Sequence, residues 1–208
     1  MKKWMIAAAL LAVTVGAGAQ DVQLPTPDKS NPTTLFQALQ NRKSVRAFSP
    51  RELSDAQLSS ILWAACGVNR PESGRITAPS AINAQDIEVY VVRKDGAYLY
   101  LPKEDKLRKV SGKDLRAAVA GGQSFAAEAP VSLVLVSNHD KFGDRAAVGS
   151  RMGLIDSGYV SMNIALACTA MGLENIPRMT MDGDTLRKEL GLTEGMDLIL
   201  NQQVGYAK

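Results

Sequence analysis

Apolar positions in this chain fall into two rhythms, one of helical spacing and one of alternation, and each stretch shows which applies. Leu35, Phe36 and Leu39 follow Thr34 and Gln37, a capping pair, so a helix is expected to run to about Arg42. Ser54 and Gln57 repeat the signature, and Leu58, Ile61, Leu62 and Ala65 keep helical spacing up to a stop at Gly67. Residues 67–78 read as loop. Ile87 to Val92 reads as a strand, Lys94-Asp95-Gly96 as a turn, and Tyr98 to Leu101 as its partner strand.

Farther on, Asp114 to Phe125 has a helical pattern, while Val131-Ser132-Leu133-Val134-Leu135-Val136 is β-branched enough to be a central strand covered on both faces. Its polar end is Ser137-Asn138. Arg151 to Met171 is the most apolar helix, with Gly158, Ala165 and Ala167 among larger residues. A surface that is apolar all round must be buried, and one subunit is not enough to cover it, so this helix is expected at the centre of a dimer. Gly172 ends it. Pro177 is expected to begin a turn, Asp182 to Leu190 to form a short helix closed by Gly191, and Met196 to Val204 to form the last strand. Helices and strands mix without regular βαβ alternation, which gives an α+β fold class.

Composition narrows the class. With 208 residues, 46% of them hydrophobic and 22% charged, the chain has the size and composition of one globular domain. Its net charge of +3 is spread among acids rather than gathered in a stripe, which argues against nucleic acid as a partner. The amino terminus stands apart: Lys2 and Lys3, an apolar run from Met5 to Val15, then Ala17-Gly18-Ala19 have the three parts of an export signal. The run is shorter than the roughly 20 residues that span a bilayer, so no stable membrane anchor is expected after cleavage. The expected organisation is a signal peptide over residues 1–19, a Pro-rich linker or arm over 20–31 lying across a surface, and a domain over 32–208. The location is then periplasmic.

Two cysteines, Cys66 and Cys168, both fall in apolar helical patterns. An oxidising compartment would permit their pairing, but the pattern favours two buried thiols. His139 is the sole histidine and stands in a polar stretch, so neither a metal centre nor a Cys/His nucleophile is indicated.

Three short motifs carry the candidate chemistry. Arg42-Lys43-Ser44-Val45-Arg46 sets two guanidiniums about a hydroxyl, a donor set suited to the oxygens of a phosphate, although basic residues after a helix also serve as a solvated face. Pro79-Ser80-Ala81-Ile82-Asn83-Ala84-Gln85 and Gly172-Leu173-Glu174-Asn175-Ile176-Pro177 follow in order. Together, over about Thr33 to Tyr206, they resemble the nitroreductase family of FMN-dependent oxidoreductases. That resemblance implies a central, mostly antiparallel sheet flanked by helices, an intertwined homodimer, and two FMN molecules at its interface. Arg42, Ser44 and Arg46 match positions that hold phosphate and the ring's polar edge, and Lys43 a variable position contributing backbone.

The resemblance further implies that Pro79, Ser80, Ala81, Asn83 and Gln85 reach the flavin from the neighbouring subunit, though Pro79-Ser80 also suits a plain turn and Asn83 a helix cap. Pro177, Arg178, Met179 and Thr180 match a loop over one flavin face, with Met179 equally suited to a core. Gln123 matches a residue lining the ring edge or a solvated helix position. Relatives often bring a basic residue back to the phosphate after the last strand; here Lys208 takes that part, or Arg42 and Arg46 act alone. The implied activity passes hydride or electrons from a reduced donor to a small acceptor such as a nitroaromatic or quinone. NAD(P)H is the usual donor in similar enzymes, and an exported chain lies apart from that pool, so the donor stays open. The other readings are a specialised flavin dehydrogenase or dehalogenase, a non-catalytic flavin-binding protein, and a structural dimer without cofactor.

Overall fold

The computed structural model describes residues 20–208, and the expected export signal lies outside the described residues. The chain opens with β1 (Val22–Gln23) and reaches α1 (Leu35–Asn41), where Thr34 and Gln37 exchange backbone and side-chain hydrogen bonds. Ser54 and Gln57 do the same for α2 (Asp55–Cys66), so both helices start where their caps satisfy otherwise orphaned donors. The segment expected as loop instead holds a small hairpin, β2 (Val68–Arg70) and β3 (Arg75–Ile76), whose strands are too short to show alternation.

An antiparallel meander follows: β4 (Ile87–Arg93), β5 (Gly96–Leu101) and β6 (Lys106–Ser111). The sequence pattern did not indicate β6. Its charged residues suit a strand that pairs on its far side only with the two residues of β1 and is otherwise an edge. After it come α3 (Arg116–Ala120), β7 (Val131–Asn138), α4 (Gly149–Ala170), β8 (Glu174–Arg178), α5 (Gly183–Leu190) and β9 (Met196–Gly205).

Seven strands form one sheet in the order β1-β6-β5-β4-β7-β9-β8, with every neighbouring pair antiparallel. β7 is buried from Val131 to Ser137, as expected of a run with only small Ser132 and Ser137 among its apolar residues. On one face Val89, Val91, Leu133 and Leu135 pack with Ile61, Leu62 and Ile164 of α2 and α4. On the other, Tyr90, Val92, Val134 and Val136 pack with Val119 and Leu186 of α3 and α5. The architecture is α+β.

Four expectations change. α3 ends at Ala120 rather than near Phe125, because Gly121 turns the chain at φ 54° and a Cβ there would sit 3.2 Å from the Met181 backbone. Pro177 does not start a turn but lies inside β8, an edge strand where its missing N–H breaks no ladder. The arm over 20–31 is partly a packed element: Leu24 is buried in the core, and Ser59 Oγ donates to Pro25 O at 2.6 Å. Finally, Ala165 faces inward with Gly153, Asp156, Val160, Ser161 and Ile164, whereas Leu154, Ile155, Gly158, Tyr159 and Met162 face outward. Only the second set remains for a partner. Cys66 and Cys168 are free thiols buried in one core cluster.

Candidate functional site

The phosphate-type motif is laid along the start of β8. Val45 N–H donates to Asn175 O at 3.1 Å, and Ser44 forms a parallel bridge with Asn175. Lys43 Nζ lies 3.5 Å from Glu174, so the middle cation is occupied. Among the described residues, Arg42 and Arg46 have no carboxylate partner, and Ser44, between them in sequence, is exposed. Two uncompensated guanidiniums about a hydroxyl can hold a dianion.

Asn175 is itself fixed from behind. Ser161 Oγ donates to Gln202 Oε1 at 2.9 Å, and Gln202 Nε2 donates to Asn175 Oδ1 at 2.9 Å. All three side chains are buried, so this relay ties α4, β9 and β8 together beneath the motif.

Three residues along β8, about 10 Å at strand rise, the chain reaches the second group, Pro177 to Thr180. Pro177, Met179 and Thr180 are exposed, Met179 to 70%, which excludes a core role for it within this chain. Arg178 is different. Its guanidinium is buried and donates to Gln123 Oε1 at 2.7 Å, Ala120 O at 2.7 Å, Asn201 Oδ1 at 2.9 Å and Val119 O at 3.3 Å. Every acceptor is neutral, and desolvation lowers its pKa from the ordinary arginine value. Its side chain is spent on structure and does not open to a ligand. Asn201 Nδ2 in turn donates to Thr180 O at 3.0 Å, so the exposed loop rests on a buried polar base.

Gln123 is exposed and held by Arg178 at its oxygen, so its amide N–H groups are free to face outward. Lys208 is less committed: the bridge between Phe48 and Ala207 brings the last residue beside the Arg46-Ala47 backbone, but its Nζ lies 3.4 Å from Glu128.

The third group does not join the other two within one chain. Ala81 N–H donates to Asp156 Oδ2 at 2.8 Å near the start of α4, whereas Asn175 contacts Ala165 O near its end. Those α4 positions are separated by about 14 Å of helix. The loop is also strained: Ile82, Asn83 and Gln85 have φ of 49°, 59° and 50°, and a β-branched residue in that region is a true outlier. Neither a plain turn nor a helix cap accounts for it, since Asn83 lies inside the 3-10 turn Ala81–Asn83 rather than before it. Gln85 N–H donates to Ser80 Oγ at 2.7 Å and Gln85 Nε2 to Gly74 O at 3.1 Å, and Ile82 is exposed.

Sequence reasoning missed most of the buried polar framework, namely Asp86, Asp156, Asn201, Gln202 and Gln203, and gave Asn175 a place in the third motif without this role. The signal was present. Three consecutive amides interrupt the last strand's alternation, and Asp156 is the one acid in the most apolar helix.

Comparison with known proteins agrees with this architecture. The model of the nitroreductase family matches residues 39–206. A protein of Methanocaldococcus jannaschii, provisionally named a nitroreductase, is 30% identical over 187 residues, covering 84% of this chain and 91% of that protein. The crystal structure of a provisionally named nitroreductase from Ralstonia eutropha superposes with a TM-score of 0.85 at 34% identity, covering 93% of this chain and 92% of that one. An FMN-dependent nitroreductase from Clostridium difficile shares the fold at a TM-score of 0.59 and 19% identity, covering 83% and 87%. The chain belongs to the nitroreductase family and is an oxidoreductase.

Proposed function

We propose that the protein is an FMN-dependent homodimeric oxidoreductase that passes hydride or electrons from a reduced donor to a small acceptor, of which nitroaromatics and quinones are the chemical type. The observation that carries this reading is the pair of uncompensated guanidiniums, Arg42 and Arg46, about the exposed Ser44 hydroxyl. β8 connects that clamp to an exposed loop resting on Asn201.

In this reading Arg42, Ser44 and Arg46 hold the phosphate of FMN, and Lys43 holds Glu174 and so keeps the motif on β8. Pro177, Met179 and Thr180 cover one face of the ring with backbone N–H groups and apolar surface, and Gln123 offers its amide to the ring edge. Arg178 acts from behind by fixing Gln123. Bound FMN supplies the two-electron chemistry, and the protein supplies position and electrostatics. No protein nucleophile is needed for such a reaction.

Ser80, Ala81, Asn83 and Gln85 complete the pocket from the second subunit. Their separation from the clamp along α4 supports this. So do the exposed apolar side chains of Leu35, Phe36 and Leu39 on α1, which packs against α4, and of Leu154, Ile155, Tyr159 and Met162 on α4 itself. An export signal would place the dimer in the periplasm, with a donor available there.

Purification tests the reading directly. The protein is expected to be yellow with flavin absorbance, to bleach with a chemical reductant, and to regain colour on adding a quinone or nitroaromatic. A colourless protein that takes up no FMN overturns it, and a yellow one that reoxidises with no acceptor but oxygen points to a binding protein.

A further inference from the structure

Asp86 and Asp156 are both carboxylic acids and both buried, and α4 brings them to one place: a Cβ on Gly153, one turn before Asp156, would lie 3.3 Å from Asp86 Oδ2. Asp86 stands just before β4 and Asp156 on the inner face of α4. Ser137 Oγ donates to Asp86 Oδ2 at 2.7 Å, and Asp86 Oδ1 is buried with no donor among the described residues. Asp156 Oδ2 accepts the Ala81 N–H at 2.8 Å. Gly153 lets α4 approach this closely, since a Cβ there would overlap the Ser137 hydroxyl.

Among the described residues, no cation pairs with either acid. β4 contributes Glu88 and the segment after β7 contributes Lys141, but these pair with each other at 3.0 Å, and Lys141 otherwise donates to Gln85 O at 3.3 Å. His139, at the end of β7, pairs with Asp197 at 3.1 Å. Two carboxylates buried this close, with no cation paired to either among the described residues, cannot both stay ionised.

We propose that Asp86 and Asp156 work as one carboxyl pair sharing a single proton, and that this pair positions the Pro79–Gln85 loop by holding Ala81. The loop has left-handed φ at three non-glycine residues, so it needs fixed partners to stay in place. Ala81 N–H on Asp156 ties it to α4. With the shared proton present, Asp156 is held against Asp86 and aimed at Ala81. When the proton leaves to solvent, two buried negative charges repel, and the loop loses this anchor. Burial and the neighbouring acid push Asp86 up to about 6, which puts the transition within an ordinary pH range. The sign follows: the docked loop binds the proton more tightly than the released loop, so docking is strongest at low pH and is lost as pH rises through about 6.

The effect on flavin rests on the function proposed above, but the first test does not use flavin. Carbon-detected NMR of the aspartate carboxyls, with amide-exchange protection of Ala81, is measured from about pH 4.5 to about pH 8. One aspartate is expected to titrate near 6, and Ala81 protection to fall by about tenfold across that step. Asp86→Asn keeps an acceptor for Ser137 and gives Asp156 a permanent donor, so it should flatten the protection profile. Asp156→Asn retains an acceptor for Ala81 and should do the same. No aspartate titrating in that range, or a variant that follows the wild-type curve, overturns the proposal. If neither variant folds, the wild-type titration and Ala81 protection decide it.

The second readout is FMN affinity against pH, taken as the ratio of Asp86→Asn to wild type. The phosphate's own second ionisation, near pH 6, moves both proteins alike and cancels. The ratio is expected to rise by about tenfold with pH. A protein that binds no FMN removes the flavin reading, while the carboxyl titration still decides whether the pair holds Ala81.

Discussion

Arg178 Nε donates to Gln123 Oε1 at 2.7 Å, joining a buried cation that has no acidic partner to an exposed amide at the edge of the candidate site. Replacing Arg178 with Ala removes a donor from two main-chain carbonyls and three side-chain amides, of which Ala120 O keeps the Gln123 N–H and Asn201 Oδ1 keeps Gln203 Nε2. Unpartnered buried acceptors are costly, so chemical denaturation should show a loss of about 2–4 kcal/mol. Gln123→Ala should cost under about 1 kcal/mol, because its side chain is exposed, yet it should still weaken flavin binding. Equal stability losses for the two variants would mean that Gln123 is only part of the scaffold.

Arg42→Ala and Arg46→Ala should act in the opposite way. Neither guanidinium has a carboxylate partner among the described residues, so melting temperature without flavin should hardly change. Each charge-assisted contact to phosphate is worth roughly 1.5–3 kcal/mol, so each variant should bind FMN about tenfold or more weakly, read by fluorescence titration. Full flavin retention in the double variant removes the phosphate-clamp assignment.

Subunit association should depend on the outward face of α4. Leu154→Glu or Tyr159→Glu puts a charge where the isolated chain already exposes the side chain, so folding should persist. Light scattering at micromolar concentration is expected to give a dimer for wild type and a monomer, without flavin, for the variants. A flavin-loaded wild-type monomer rules out the shared pocket.

A mixed dimer tests which chain each residue serves. If Arg46 and Asn83 meet across the interface, an Arg46→Ala chain paired with an Asn83→Ala chain builds one site with both lesions and one with neither. Co-expression with two tags should then restore about half of wild-type turnover and flavin, provided the sites act independently. No gain over either parent dimer places both residues in one chain's site.

The thiols should be silent. Burial pushes Cys66 up to about 12, and it raises Cys168 as well, so neither forms thiolate near neutral pH. A thiol-reactive dye should label neither residue in the native protein and both after unfolding. Native labelling within minutes would show that the core around α2 and α4 opens.

Much of the fold can be read directly from local chemistry. The caps at Thr34, Ser54 and Asp182 start helices because each side chain satisfies a backbone donor a few residues away, and that interaction needs nothing from the rest of the molecule. β7 shows as a covered strand because burial on both faces leaves no charged position and only small hydroxyls, Ser132 and Ser137, among its apolar residues. β6 stayed hidden because an edge strand is allowed to be charged, and β2 and β3 because strands of two or three residues hold too little pattern.

The sequence by itself determined the helix starts, the central strands, the α+β class and the order of the three candidate motifs. The tertiary structure alone decided their grouping. Pairing along β8 sets Ser44 beside Asn175 and carries the chain on to Met179, while the length of α4 keeps Ala81 at the other end. It also decided that Arg178 turns inward while Arg42 and Arg46 stay open, because a guanidinium's role depends on which oxygens the packed chain brings within reach. The same holds for Asp86 and Asp156: seventy residues of chain separate them, and only packing α4 against β7 and β4 brings them together.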